Sequence, residues 1–523
     1  MSYNSTITAH IMPERASLLM KYVEKLLRPA ILILGGIVEI AIVLGLFHFF
    51  TSFAWVDLVL RLISTVIVIT VINNSRHLSF DMMWILLILL FPLPGTLIYL
   101  FLGANLVASR TISALVKETR KASCCLQQDP RVLHDLQAEM PDLSGDVHYL
   151  SATAGFPIYH NTGFDYYPLG DDGYPVMLEE MRKAEKFIFL EYFIIERGVM
   201  WDGMLEILKQ KAQQGLDVRV MYDDMGSLAT LPASYAKQLE HEGIKCVRFN
   251  KLNPVIGAVM NHRDHRKIMV IDGKTAFSGG INLADEYINR IVKHGHWKDN
   301  CIRIKGEAVW SYTVLFLTNW NALRPTDEDF SIFHAQAEQG EADGYIAAYG
   351  DSPFDNESTG QNVYMNILNN AKKYVYISTP YLIIDTELEN ALILAAKRGV
   401  DVRILTPGVA DKKTVWYITR SFYQNLIAGG VKIYEYTPGF NHAKVFVSDD
   451  KAATVGTINL DYRSLYLHFE NGTYLCGSKK VMNIRDDMIA CYQVSHQMHK
   501  GDIKENIFQR MAIGFIKLFA AQM

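Results

Sequence analysis

The sequence predicts an α/β protein built from two tandem units related by a pseudo-two-fold axis, each an α/β/α sandwich, preceded by amino-terminal transmembrane helices. Three observations predict it: an internal repeat, an alternation of short strand-like runs with longer amphipathic ones, and an apolar excess gathered at the front of the chain. At 523 residues the chain is too long for one ordinary core. Half of its residues are hydrophobic, more than a wholly soluble chain of this length needs.

The front of the chain carries that excess. Residues 30–50 are apolar apart from Glu39, residues 56–72 carry Asp57 and Arg61, and residues 82–103 hold no charge but include Pro92-Leu93-Pro94-Gly95. A crossing needs roughly twenty apolar residues. The first and third stretches meet that length, and the middle one is the weakest. The first begins too late, and lacks the small-residue cleavage pattern, for a signal peptide. Arg15, Lys21, Lys25 and Arg28 precede it, while Arg110, Lys117, Arg120 and Lys121 follow the third. The positive-inside rule puts both basic flanks in the cytoplasm. That fits a two-span hairpin with an interfacial or re-entrant middle stretch; three spans would force one flank outside. Glu39 is expected to pack against Arg61. Residues 1–105 are thus read as a membrane anchor, with the rest of the chain cytoplasmic. The six cysteines form no C-x-x-C pair and read as reduced thiols.

Residues 106–145 are polar and read as a helical linker. Unit one, 146–335, contains Ala184-Glu-Lys-Phe-Ile-Phe-Leu-Glu-Tyr-Phe-Ile-Ile195 and then Gly215-Leu-Asp-Val-Arg-Val-Met-Tyr-Asp-Asp224. Unit two, 336–523, answers with Ala371-Lys-Lys-Tyr-Val-Tyr-Ile-Ser-Thr-Pro-Tyr-Leu-Ile-Ile384 and Gly399-Val-Asp-Val-Arg-Ile-Leu-Thr406. Between these runs Met204, Leu205, Ile207, Leu208 and Ala212 keep helical spacing, as do Leu388, Ala391, Leu392, Leu394 and Ala395. Strands alternating with helices give a sheet covered by helices. The closing amphipathic segment, 507–523, alternates apolar residues with Arg510 and Lys517. Docking on the catalytic core is the preferred reading, and a membrane surface the alternative.

One motif closes each unit: His265-Arg-Lys267-Ile-Met-Val-Ile-Asp272 and His442-Ala-Lys444-Val-Phe-Val-Ser-Asp449. On a strand, a His and a Lys two residues apart share a face. Matching tails follow, Gly279-Gly280-Ile-Asn282 and Gly456-Thr457-Ile-Asn459. Their glycines permit close approach to an anion, and their hydroxyl and amide groups can donate to phosphate oxygens. About thirty residues beyond each histidine stands an acid, Asp299 and Glu470. Each is expected to orient the imidazole of its own half and to fix its tautomer.

Paired His-x-Lys-x4-Asp motifs resemble the phospholipase D superfamily. The hydrophobic Phe91-Pro-Leu-Pro-Gly95 and Tyr99-Leu-Phe-Leu-Gly103, with Asn261-His-Arg-Asp-His-Arg-Lys267 and Thr457-Ile-Asn-Leu-Asp-Tyr-Arg-Ser464, narrow the resemblance to the bacterial cardiolipin synthases. The resemblance implies a bacterial cell-membrane phosphatidyltransferase. It joins two phosphatidylglycerol molecules into cardiolipin and glycerol through a phosphatidyl-histidine. His265 is then the nucleophile and His442 the acid/base, although the repeat permits the reverse. Lys267, Lys444, Asn282 and Asn459 would neutralise the phosphoryl oxygens, and Asp272 and Asp449 would anchor the motif. No cofactor or metal is expected.

Gly273-Lys274-Thr275 ends like a phosphate loop, but Ile268 stands where a glycine is needed, so a hairpin turn is expected. His262 with His265, and His294 with His296, bring no Cys or matched carboxylate at metal-ligand spacing. Asp223-Asp224 reads as a cap or turn. A net charge of −4 argues against a nucleic-acid binder. A hydrolase or a transferase using another alcohol would carry the same motifs. A decayed membrane scaffold would be expected to have lost a His or Lys.

Overall fold

The computed structural model describes residues 54–519 except 76–77, 104–109, 253–260, 327, 336–341, 356 and 504–505, with isolated helical positions between 30 and 45. In chain order the first half supplies β1 (Thr162–Tyr167), β2 (Phe187–Tyr192), β3 (Asp217–Asp223), β4 (Lys245–Phe249), β5 (Lys267–Ile271), β6 (Thr275–Gly279), β7 (His296–Lys298) and β8 (Cys301–Gly306). The second half supplies β9 (Tyr345–Asp351), β10 (Tyr374–Ser378), β11 (Leu382–Ile383), β12 (Asp401–Pro407), β13 (Lys432–Tyr436) and β14 (Gly439–Asn441). It continues with β15 (Val445–Ser448), β16 (Ala452–Gly456), β17 (Leu460–Asp461), β18 (Glu470–Cys476) and β19 (Ser495–Met498).

The repeat is visible in the strand order. One sheet runs β1-β8-β6-β5-β2-β3-β4; the other, β9-β18-β16-β15-β10-β12-β13-β19, matches it strand for strand and adds β19 at the edge. In each, three strands are parallel, and the motif strand lies antiparallel beside the first of them. Tyr192, at the end of β2, faces Lys267; Ser378, at the end of β10, faces Val445. Each motif therefore begins at the carboxyl edge of its parallel strands, where open α/β sheets bind ligands.

The helical periodicity holds apart from Leu394, read with the apolar face but exposed. Helix Val199–Gln213 buries Met204, Leu205, Ile207 and Leu208, and helix Thr386–Lys397 buries Leu388, Ala391, Leu392 and Ala395. Helix Val309–Leu323 is buried nearly all round, as a helix enclosed on every side must be. Its Tyr312, Phe316 and Trp320 join one cluster with Phe189 and Val270 of the first sheet and Val445 and Val455 of the second. Burying each such side chain contributes roughly 1.5–3 kcal/mol. The halves thus share a core that fixes their mutual orientation. All six cysteines are free thiols.

The amino-terminal expectations change. Among the described residues no helix is long and apolar enough to cross a membrane. The first stretch, 30–50, lies outside the described residues apart from isolated helical positions, and Glu39 lies outside with it. The middle stretch, read as the weakest, is one unbroken helix, Ala54–Asn74. The third, read as the cleanest, breaks into Leu78–Leu90, Pro92–Ile98 and a π-helical turn, Tyr99–Gly103. Pro92 has no N–H to continue a helix and opens the second piece. Gly95 lies so close to the preceding turn that a Cβ would stand 2.2 Å from the Leu87 carbonyl oxygen. The two longer helices pack through Val68, Val71, Ile85 and Ile88 and leave Leu58, Leu62, Val66 and Ile69 exposed. The linker is helical over Arg110–Ser123 and Pro130–Glu139. The carboxy-terminal helix, Ile507–Lys517, packs Ile513 and Ile516 against helix Lys413–Ala428 but leaves Phe508, Met511 and Phe515 exposed.

Candidate active site

His265 and His442 stand just ahead of β5 and β15, and only Lys267 of the two motif lysines is within its strand. The expectation that each His and Lys share a strand face is corrected accordingly. The pre-strand residues pair instead with the other half of the chain. The His265 N–H donates to the Phe469 carbonyl at 2.9 Å and the Phe469 N–H to Arg263 at 2.8 Å. In the matching place β14 runs parallel to β7, and the His442 N–H donates to the Lys298 carbonyl at 2.7 Å.

This exchange carries the acids across. His265 Nδ1 lies 2.8 and 2.9 Å from the two oxygens of Glu470, and His442 Nδ1 lies 2.6 Å from Asp299 Oδ2. Each histidine is therefore held by the acid of the other half, not of its own. An imidazole whose Nδ1–H donates to a carboxylate presents Nε2 as the nucleophile or base. Thr457 Oγ1 donates to Glu470 Oε2 at 2.5 Å, so the tail hydroxyl supports an acid rather than facing a phosphate. At the matching place in the first half, Gly280 leaves room for Asp299, whose Oδ1 would lie 1.9 Å from a Cβ there. Burial, with Lys267, Lys444 and His442 nearby, holds His265 well below the usual imidazole range. Burial and Lys444, against the pull of Asp299, bring His442 down to about 4. Burial alone would raise Asp299, but His442 and Lys444 outweigh it and hold the carboxyl below its usual range.

Both motif lysines are buried. Lys267 Nζ donates to the His265 carbonyl at 2.6 Å. Lys444 Nζ donates to the His442 carbonyl and lies 2.9 and 3.1 Å from the ring nitrogens. Burial lowers Lys267 to about 7 and Lys444 to about 8, with Glu470 and Asp299 opposing the shift. Asp272 and Asp449 lie past the far ends of β5 and β15. Each accepts three backbone N–H groups: Asp272 from Glu185, Lys186 and Phe187, and Asp449 from Lys372, Lys373 and Tyr374. Both have positive φ, 55° and 53°, in the tight turns of the β5–β6 and β15–β16 hairpins, where Asp is among the few tolerated side chains. The Gly273 segment is thus the expected hairpin turn. Asp223 likewise ties a turn, accepting from the N–H groups of Met225, Gly226 and Asp264.

One cavity is lined by His265, His442, Asn282, Asn459, Trp297 and His468, among others. Asn282 is committed: its Oδ1 accepts from Ile194 N–H at 3.1 Å and its Nδ2 donates to Tyr287 at 2.8 Å. Asn459 Oδ1 is buried without a partner. Among the described residues, the grouping that could hold a metal ion is His265, His468 and Glu470, with ligand atoms within 4.8 Å. Both Glu470 oxygens already serve His265, and one also serves Thr457. In the matched triplets Trp297-Lys-Asp299 and His468-Phe-Glu470 sequence reasoning assigns a role only to the acids, and Trp297 and His468 join the cavity beside them.

The family model described as cardiolipin synthase, PLD-like domain, matches residues 177–311 and 364–490, one stretch in each half. The chain belongs to this family. Five of the ten residues singled out by sequence fall in each matched stretch of the cardiolipin synthase domain. A second model, phospholipase D-nuclease N-terminal, matches residues 62–103. An uncharacterized protein of Streptococcus mutans is 44% identical over 86% of this chain and 97% of its own length. A cardiolipin synthase of Halalkalibacterium halodurans is 32% identical over 86% of this chain and 90% of its own. The crystal structure of a Haemophilus influenzae phosphatidylserine synthase matches with a TM-score of 0.52 at 15% identity, covering 68% of this chain and 92% of that one. That likeness shows the fold.

Proposed function

We propose that the chain is a cardiolipin synthase that transfers a phosphatidyl group from one phosphatidylglycerol to another. His265 Nε2 attacks the phosphorus of the first lipid, and the bond to the headgroup glycerol breaks. His442 gives its proton to the departing glycerol oxygen, then takes one from a hydroxyl of the second phosphatidylglycerol. That oxygen attacks the phosphorus, the P–N bond breaks, and cardiolipin leaves. Lys267 and Lys444 offset charge on the phosphoryl oxygens. The observation that carries this reading is the crossed pair of histidine–carboxylate dyads facing one cavity. Crossed dyads supply one nucleophile and one acid/base to the same phosphorus.

A lipid substrate is matched by the surface. The apolar face of helix Ala54–Asn74 and the exposed Phe508, Met511 and Phe515 of the last helix suit a bilayer better than water. We place the amino-terminal segments, 1–105, in the bacterial cell membrane, either as a two-pass hairpin with both basic flanks in the cytoplasm or as three passes with the first flank outside, and in both cases with the two units, 146–335 and 336–523, on the cytoplasmic side.

The lysines set the pH response. Burial disfavours their charged forms, so in the free enzyme they lose protons as pH rises through about 7 and 8. In the free enzyme both imidazoles are neutral through the usual histidine range, so His442 takes up the Nε2 proton it donates as the phosphodiester anion binds and offsets the lysine charges. Because the free enzyme must gain the His442 proton and keep both lysine protons, kcat/KM for phosphatidylglycerol is expected to fall with rising pH, more steeply above about 7, without an acid limb near pH 6.5. A bound phosphodiester anion keeps the lysines charged, so the alkaline limb of kcat lies higher; parallel profiles of the two parameters check this.

The deciding assay uses the full chain in vesicles of labelled phosphatidylglycerol. Cardiolipin and glycerol should appear one for one. Phosphatidic acid without cardiolipin would mark a hydrolase on the same scaffold and sink the synthase reading.

A further inference from the structure

Trp297 and His468 occupy the same place in the two repeats, two residues ahead of Asp299 and Glu470. Each packs against the histidine of the other half in the same pose. The Trp297 ring lies 5.8 Å from His442 at 44°, and the His468 ring lies 5.7 Å from His265 at 45°. Both line the catalytic cavity. Both also carry ring nitrogens that are sealed from solvent and have no hydrogen-bond partner: the Trp297 indole nitrogen and both nitrogens of His468. His468 Nδ1 stands 3.8 Å from Glu470 Oε1, beyond hydrogen-bond reach.

A buried donor without a partner is costly to a fold and is retained where a ligand completes it. The repeat makes the point sharper, because Trp297 offers one donor while His468 offers a donor and an acceptor. The two ends of the pseudo-symmetric cavity are therefore chemically different. A ring nitrogen of His468 lies within 4.8 Å of one of His265, close enough for a ring N–H to reach an oxygen of a phosphoryl group carried on His265.

We propose that His468 is a further catalytic residue, whose ring N–H donates to a non-bridging oxygen of the phosphoryl group while that group is carried on His265. The proposal rests on the reading of this site as a phosphatidyltransferase working through His265. It gives the His265 end the task of holding the phosphoryl group, and leaves the Trp297 end to the alcohols.

The test compares His468→Phe, which keeps a flat ring and loses the donor, with His468→Asn, which keeps a side-chain N–H. Both are assayed as full-length chains in phosphatidylglycerol vesicles, with a chelator present and absent, after a thermal melt confirms folding. Single donors to a developing oxyanion are worth about 10²–10³-fold in kcat, and a shared one less. The expectation is a fall of roughly 10–100-fold in kcat for His468→Phe, little change in KM, and recovery to within about fivefold for His468→Asn. Base-stable, acid-labile label on the protein should fall in step with kcat. Wild-type kcat in His468→Phe overturns the proposal, as does equal loss in both variants, which marks packing alone. Activity lost to the chelator in wild type but already absent in His468→Phe makes His468 a metal ligand and also overturns it. A chromogenic phosphodiester run in parallel separates the two readings. If the wild type makes no cardiolipin yet His468→Phe alone slows that diester, the synthase reading fails and the role of His468 stands.

Discussion

His265→Ala is expected to lower cardiolipin formation by about 10⁴–10⁶-fold, because it removes the atom that bonds to phosphorus and no neighbour can replace it. The other buried nucleophiles nearby are engaged or misplaced: Lys267 Nζ is turned back onto the His265 carbonyl, and the His442 ring is held by Asp299. His442→Ala is expected to be as damaging with natural lipid, since a glycerol alkoxide is a poor leaving group without a proton. The two variants separate on a lipid whose headgroup leaves unaided, such as a p-nitrophenyl phosphatidyl ester. His442→Ala should then release one equivalent of nitrophenol and retain phosphatidyl label on the protein, while His265→Ala does neither. Label retained by His265→Ala and absent from His442→Ala would reverse the assignment, an exchange the two-fold repeat allows.

Much of this was legible in the sequence, and the reasons differ by element. Strands β2, β3, β10 and β12 were readable because each is a short apolar run in a matched repeat, and two helices because Met204 to Leu208 and Leu388 to Ala395 each keep a buried face. The anchoring of Asp272 and Asp449 came with the family resemblance, and three backbone N–H groups converge on each. The amino terminus misled for a local reason. Hydropathy ranks residues 82–103 first, yet Pro92 and the close approach of Gly95 to Leu87 break that stretch, while Asp57 and Arg61 do not break the helix around them. The pairing of acids with histidines misled for a global reason. Sequence distance ties Asp299 to His265 and Glu470 to His442, but the β14–β7 pair brings Asp299 to His442 and the Asp264–Phe469 bridge brings Glu470 to His265. Only three-dimensional exchange between repeats reveals that, and the same exchange sets Trp297 and His468 against the histidines of the opposite halves.

That exchange makes an expected result opposite to the one sequence order gives. Glu470→Gln should disable His265, and Asp299→Asn should disable His442, each lowering overall transfer by about 10³–10⁴-fold, as loss of a tautomer-fixing carboxylate does elsewhere. An amide in place of the carboxylate can donate as well as accept, so it no longer forces the proton onto Nδ1 and Nε2 into the cavity. The two losses fall on different steps. With the self-leaving phosphatidyl ester, Asp299→Asn should form the covalent adduct at nearly the wild-type rate and then pass it slowly to phosphatidylglycerol. Glu470→Gln should fail to form it. Thr457→Val, which removes the hydroxyl that donates to Glu470 at 2.5 Å, should resemble a mild Glu470→Gln, slowing adduct formation by about tenfold, the worth of roughly one hydrogen bond to a charged group. Adduct formation abolished by Asp299→Asn and spared by Glu470→Gln would mean that the nucleophile is held by the acid of its own half, or that His442 is the nucleophile. The His265→Ala and His442→Ala pair on the same ester tells those apart.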